Sequence, residues 1–294
     1  MKVINMAHGN VQAFKESNVK NNLVVQSWLN RIIELALCVF EYHNVPDTID
    51  IRYLEKTLIT KGCAAWFRDD VTGALLALQG VTQGQFDVYG NPRIRQAVGY
   101  NGYTRTVSDS DSVLMWNNYQ RVPSYPVLLN YARQIADIER TIEVNVSGQK
   151  TPKIIQCSKD QFLSFKNIEM KTEGNQKYIF IDNELNPNLL KVLDMTVPYV
   201  ADKLYDIKNL LIAECLSYIG IPANAIEKKE RINLLELELS NANTDAQRYT
   251  RLISRQEALA AINRMFETNI SVEFRFKGDL MNDERIHAIT QAVD

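Results

Sequence analysis

The sequence predicts an α+β protein in which a stem of long helices carries separate β-rich lobes, and three observations carry that prediction. Long apolar-periodic segments lie at 23–42, 127–146 and 199–219. A stretch rich in glycine, aromatic and β-branched residues fills 62–126. A short alternating segment, "ISVEFRF" at 270–276, follows a further helical pattern.

In chain order, residues 1–22 read as a flexible arm, with Lys2, Lys15 and Lys20 against Glu16, a small positive excess. Its opening, "MKVINMAHGNVQAFKESN", lacks the apolar core of a signal peptide. Within 23–42, Trp28, Ile32, Leu35 and Val39 recur on one helical face. Turn signals at Gly73, Gly84, Gly90-Asn91-Pro92 and Asn101-Gly102 cut 62–126 into the strands of a small antiparallel barrel or sandwich. Leu128, Ala132, Ile135, Ile142 and Val146 give 127–146 its helical period. Residues 150–197 hold two short strands, "KIIQC" and "KYIFID", joined by a polar bridge.

The third long helix opens at Pro198 and closes at Gly220, with Leu204, Leu211, Cys215 and Tyr218 as its stripe. Some thirty residues after "GIP" at 220–222 show no core pattern, which predicts an unusually long polar loop. The next helix is expected from Ser254, where Ser-x-x-Glu spacing to Glu257 has the form of a capping box, with Ala258, Ala261, Ile262 and Met265 behind it. In 270–276, Ile270, Val272, Phe274 and Phe276 face one way and Ser271, Glu273 and Arg275 the other, so this strand is expected to complete a sheet begun much earlier.

Composition excludes some functions. The 294 residues carry 33 Lys plus Arg against 35 Asp plus Glu, a net charge of −2. That balance opposes a broad basic face gripping nucleic acid, because such binding rests on many phosphate neutralisations. It is compatible with letting nucleic acid slide past. No run of about eighteen apolar residues occurs, so no membrane span is expected. Cys38, Cys63, Cys157 and Cys215 are far apart, without a Cys-x-x-Cys pair, and read as buried free thiols of a cytoplasmic protein.

Catalytic patterns are scarce. Three histidines, His8, His43 and His287, are scattered, and no nucleophile elbow, zinc-protease, Walker or dinucleotide motif occurs. His43 reads as a structural histidine. "SDSDS" at 108–112 could direct Asp109 and Asp111 at one cation, but it lacks the glycine and distal Glu of a calcium loop, so it reads as a solvated turn. Asp182 and Glu184, just after an apolar strand, occupy a position many metal nucleases use, but without a third carboxylate or lysine nearby. An enzyme is not expected, and neither cofactor nor metal is implied.

Several stretches together resemble the upper collar, portal or head–tail connector proteins of phi29-like small podophages. They are "YLEKTLITKG", "VTQGQFDVYGNP", "GQKTPKII", "VPYVADKLYDIKN", "YIGI" with "AIEKKER", "SRQEALAAIN" and "SVEFRF", spanning residues 53–276. The resemblance implies a ring of about twelve identical subunits at one capsid vertex. Double-stranded DNA passes through its channel, driven by a separate packaging ATPase. Major capsid and scaffold proteins and a lower collar or tail protein are the other implied partners. It implies a portal fold: 23–61 and 127–149 as stem helices, 62–126 plus 254–276 as an SH3-like wing, 150–197 as a small α/β clip, and 198–229 as the channel-side helix. Residues 230–247 become the channel loop and 277–294 a C-terminal tail.

On this reading the DNA channel is lined by Lys203, Asp194, Lys228, Lys229, Arg231, Glu236, Glu238, Asn241, Asn243, Asp245 and Arg248. Lys203 matches a family lysine that forms a ring in the tunnel. A second family lysine falls on Asp194, with Lys191 nearby, so a second positive ring is in question. Across 227–251, Lys228, Lys229, Arg231, Arg248 and Arg251 balance Glu227, Glu230, Glu236, Glu238 and Asp245. A neutral loop touches a moving duplex without holding it, because repetition around a ring multiplies any phosphate contact. The family's arm binds a motor RNA in its best-known case, but the weak excess in 1–22 does not carry that over. Two other readings remain open on the residues alone: a metal-dependent nucleic-acid enzyme using Asp182 and Glu184, and a monomeric structural adaptor.

Overall fold

The computed structural model describes residues 9–149, 153–157, 178–182, 198–221 and 234–275. It divides into two units, one of Met1–Ile135 with Leu211–Asp294, the other of Ala136–Leu210. Helix and sheet are mixed, as the composition and periodicities predict.

The first unit begins with helix α1, Gly9–Leu37, and strand β1, Phe40–His43. Both depart from expectation. The helix starts well inside the segment read as a flexible arm, and the apolar period read through residue 42 ends at Leu37. Phe40 and Tyr42 sit instead on a strand that pairs antiparallel with β9, Ser271–Phe274, in the register Phe40↔Phe274 and Tyr42↔Val272. The alternating strand near the C-terminus therefore completes a two-stranded ribbon with residues 40–43 and does not join the strands of 62–126.

Helix α2, Ile51–Lys61, is framed by its caps. The Asp50 carboxylate accepts the Tyr53 N–H at 3.0 Å, and Gly62 closes the helix in the left-handed region at φ 91°. A β-carbon at Gly62 would sit 3.0 Å from the Pro123 nitrogen, so space and conformation both favour glycine there. The sheet follows: β2 Cys63–Arg68, β3 Leu75–Phe86, β4 Pro92–Val98, β5 Thr104–Ser108 and β6 Ser112–Trp116. All pairs are antiparallel, in the order β5-β4-β3-β2-β6.

Strand β2, "CAAWF", is apolar on both faces because both are covered. On one side Trp66 and Met115 pack with Leu54 and Leu58 of α2 and with Leu259, Ile262 and Phe266 of helix α5, Leu234–Phe266. Helix α2 thus belongs to the core under the sheet, although its sequence was grouped with the stem. On the other side Ala65 and Phe67 meet Ala97 and Val107. A third apolar cluster joins helices: Leu29, Ile32 and Ala36 of α1, Leu128, Ala132 and Ile135 of α3, Tyr125–Gly148, and Cys215 and Ile219 of α4, Ala201–Ile219.

The second unit contains parallel strands β7, Lys153–Cys157, and β8, Tyr178–Asp182. These are the two short strands expected there. Buried Asn145 of α3 sets the start of α4, donating from Nδ2 to the Pro198 carbonyl at 2.9 Å and accepting the Val200 N–H at 3.2 Å. Among the described residues no helix is long and apolar enough to cross a membrane.

Candidate nucleic-acid interface

Lys203 is the third residue of α4, and its side chain is exposed. Its neighbours are engaged elsewhere or not with it: the Tyr199 hydroxyl donates to Asp202 at 3.2 Å, and Lys208 lies 3.8 Å from Glu139 and over the ring of Tyr205. That hydrogen bond raises the Tyr199 phenol, and the Asp202 charge adds to the effect. Asp194 and Lys191 lie outside the described residues.

Helix α4 ends where its sequence says, at Gly220, with φ 91°. The Gly220 N–H reaches the Ser217 carbonyl at 3.0 Å and the Ile221 N–H reaches Leu216 at 2.9 Å, a glycine-terminated helix stop. Lys228, Lys229 and Arg231 lie outside the described residues.

The segment expected as a loop is different. From Leu234 onward the chain is helical, so Glu236, Glu238, Asn241, Asn243 and Asp245 lie on α5 and the predicted loop over 230–247 is not a loop from 234. Ser254 does not cap a helix. It lies in the interior of α5, where its hydroxyl donates to the Thr250 carbonyl at 3.2 Å.

The reason is the chemistry of the buried face. Thr244, Arg248, Arg251 and Arg255 continue the stripe of Leu259, Ile262 and Phe266 at helical spacing, and all seven are buried. A stripe of threonine and arginines has no hydrophobic period to read. Partners sustain it within the first unit. The Ser217 and Thr244 hydroxyls meet at 2.8 Å, and Arg248 Nε donates to the Gly220 carbonyl at 2.6 Å. Arg251 stacks 4.5 Å from the Tyr218 ring centre. Arg255 binds Glu55 through Nε at 2.8 Å and Nη2 at 2.7 Å, and covers Phe40 at 4.0 Å. The spacing of Arg248, Arg251 and Arg255 is the signal that could have revealed this face.

The burial changes the charge available at the candidate interface. Arg248 pairs with exposed Asp245 at 3.3 Å but is itself enclosed, so it is not a channel-lining cation. Arg251 is enclosed as well. Of the five cations counted in 227–251, Arg248 and Arg251 are thus committed to the interior.

The alternative sites are described only in part. Asp182 ends β8 opposite Cys157, and Glu184 lies outside the described residues. Among the described residues no three His, Cys, Asp or Glu side chains gather as a metal cluster. In "SDSDS", Asp111 accepts the Ser108 N–H at 2.6 Å and its hydroxyl at 2.9 Å, the bonds of a tight turn. His43 Nε2 lies 3.1 Å from Glu273 across the β1–β9 ribbon. Cys63 and Cys215 are buried free thiols, and Cys38 is half-buried and also free.

Comparison with known proteins adds to this geometry. The family model described as Phage Connector (GP10) matches residues 9–278. A solved structure of the portal and tail of native bacteriophage P68 aligns with 98% of this chain and 99% of its own, at 14% identity and a TM-score of 0.51. An HK97 family phage portal protein from Corynebacterium diphtheriae aligns with 85% of this chain and 92% of its own, at 11% identity and a TM-score of 0.38.

Proposed function

The chain belongs to the phage connector family, a structural family of head–tail connectors or portals, and on that premise we propose that its copies close into a ring of about twelve around duplex DNA. The ring sits at one capsid vertex, assembled in the host cytoplasm and retained in the virion. It conducts the genome inward under a separate packaging ATPase and outward at ejection. Capsid and scaffold proteins meet its outer side, and a lower collar or tail protein its end. The five-stranded sheet with α5 is the SH3-like wing, and β7 and β8 belong to the clip.

One observation supports ring closure above all. Within the second unit, Val144 and Val146 of α3 and Tyr205, Ile207 and Leu210 of α4 are exposed in the single subunit. Apolar side chains displayed on two helices of one unit need a cover, and a closing heterologous interface with the next copy supplies it. Lys203, Asp194, the 228–231 cations and the N-terminal part of α5 line the tunnel in this reading. Its wall is polar and carries little net positive charge, so DNA slides without being gripped. Catalysis needs no residue of this chain, because the driving energy comes from the motor.

The test is electron microscopy of the purified protein, with end-on views averaged without imposed symmetry. A ring of about twelve subunits around a duplex-sized hole is expected. A homogeneous monomer or dimer at every salt concentration would falsify the reading.

A further inference from the structure

We propose that the first unit carries a docking groove for an extended polypeptide segment with a basic residue, which a partner protein adds to the five-stranded sheet along β6. The groove opens between β6 and α5, both in the first unit, and its volume is about 520 Å³. Leu114 and Trp116 line it from the strand, Glu257, Ala258 and Ala261 from the helix, and exposed Tyr119 from the loop after β6.

Strand register fixes which backbone groups face the groove. β6 is the last strand of its sheet, so among the described residues one of its edges has no strand beside it. In an antiparallel ladder, successive residues turn their N–H and C=O alternately toward one neighbour and the other. The Asp69 N–H bonds the Ala74 carbonyl at 2.9 Å, which turns Cys63, Ala65 and Phe67 of β2 toward β3. The Asn117 N–H bonds the Gly62 carbonyl at 2.9 Å, which turns Ala64 and Trp66 toward Met115 and Val113 of β6. Leu114 and Trp116 therefore direct their backbone N–H and C=O away from β2, at the open edge. No hydrogen bond among the described residues takes these groups. The edge is also undefended. Strand edges are commonly blunted by lysine, proline or a bulge, because they template pairing with another chain. β6 reads Ser-Val-Leu-Met-Trp, without charge or proline, and its register with β2 runs unbroken.

A strand added here lies about 4.8 Å from β6. The small side chains of Ala258 and Ala261 leave it room, and Trp116 and Tyr119 offer aromatic surface to its side chains. Charge selects the segment. Glu257 is exposed in the helical wall, and among the described residues no hydrogen bond or ion pair holds its carboxylate. The cation lining the groove, Arg121, is engaged: Nη1 donates to Asn91 at 2.7 Å, and the guanidinium covers Trp116 at 5.3 Å. A lysine or arginine on the added strand therefore meets a free carboxylate, whereas an acidic residue beside Glu257 is repelled. The groove is complete in one subunit, so the inference does not depend on ring closure.

The test titrates the full-length protein into a dye-labelled peptide of alternating valine and threonine with a central lysine, followed by fluorescence anisotropy. Saturable binding is expected. Methylating alternate peptide amides removes the donors of one edge and keeps the side chains. One of the two methylated sets is expected to weaken binding about tenfold and the other to leave it unchanged, since an added strand pairs along one edge only. Glu257→Lys, a change at an exposed position, is expected to weaken the lysine peptide about threefold and to strengthen a central-glutamate version as much. Absence of saturable binding overturns the proposal. So does binding indifferent to both methylated sets, which marks hydrophobic adhesion without a ladder. A lysine preference unchanged in Glu257→Lys overturns it as well, and so does binding that appears only after the assembly is dissociated, which shows the edge held by a second copy.

Discussion

Glu55 and Arg255 are each about 1% exposed, and among the described residues their bidentate pair is the most enclosed charge in the first unit. Removing one partner strands the other in a low-dielectric interior, whereas replacing both with apolar groups removes the penalty along with the attraction. Glu55→Gln is expected to lower unfolding free energy by about 3–5 kcal/mol. Glu55→Leu with Arg255→Met should cost far less, which urea titration of the four proteins in a double-mutant cycle measures. The buried thiols give a second expectation. Burial lifts Cys63 to about 11 and Cys215 to about 12, and nearby Arg95 and Arg251 only partly oppose it. The contribution of both thiols to stability is complete below the ordinary thiol value of 9.0, and it is lost as pH climbs toward those raised values. At pH 8 the folded protein should leave both unmodified by iodoacetamide while Cys38 reacts, and urea should expose all of them. Rapid labelling of Cys215 in the folded state would contradict its enclosure among α1, α3 and α4.

Helix α5 shows how far an element can run past its legible signal. The hydrophobic stripe begins at Ala258, so sequence reasoning started the helix at Ser254. The structure starts it at Leu234, because hydroxyl and guanidinium groups occupy the same face through Thr244 and find partners on α2 and α4. Asn241→Pro discriminates directly. Within a helix it removes a backbone donor and clashes with the preceding turn, costing about 3 kcal/mol and lowering ellipticity at 222 nm, whereas a loop would absorb it. A paired glycine test checks the α4–α5 contact. At Gly220, with φ 91°, a β-carbon meets Arg248 Cγ at 2.9 Å, while at Gly73, with φ 69°, it meets nothing within 4 Å. Gly220→Ala should therefore destabilise clearly more than Gly73→Ala, since both share the backbone strain and only one adds a clash. Elsewhere legibility followed locality. The turns of 62–126 and the 127–146 period were readable because their signals lie within the segment. Strand β1 was not readable, because Val39 continues the helical period of α1 and the partner that makes Phe40–His43 a strand lies some 230 residues away.

At the scale of the molecule, the described part of the candidate interface differs from its sequence reading in where its charges are placed. Lys203 was singled out by its motif, and its side chain is exposed on α4. Of the five cations counted across 227–251, Arg248 and Arg251 serve the interior. If a ring of these subunits conducts DNA, its hold on the duplex comes from few phosphate contacts per subunit, and each contributes measurably to the salt dependence of binding. Each neutralised phosphate steepens log K against log salt by about 0.9. Lys203→Gln in the assembled ring is therefore expected to reduce that slope by about 1 or more in fluorescence anisotropy with a duplex longer than the channel. The variant's Tm should not move, since an exposed lysine contributes little to folding. An unchanged slope with an unchanged Tm would put Lys203 on the outer surface of the ring. The tunnel wall would then be left to Lys228, Lys229 and Arg231, and the same titration on their glutamine variants would locate it.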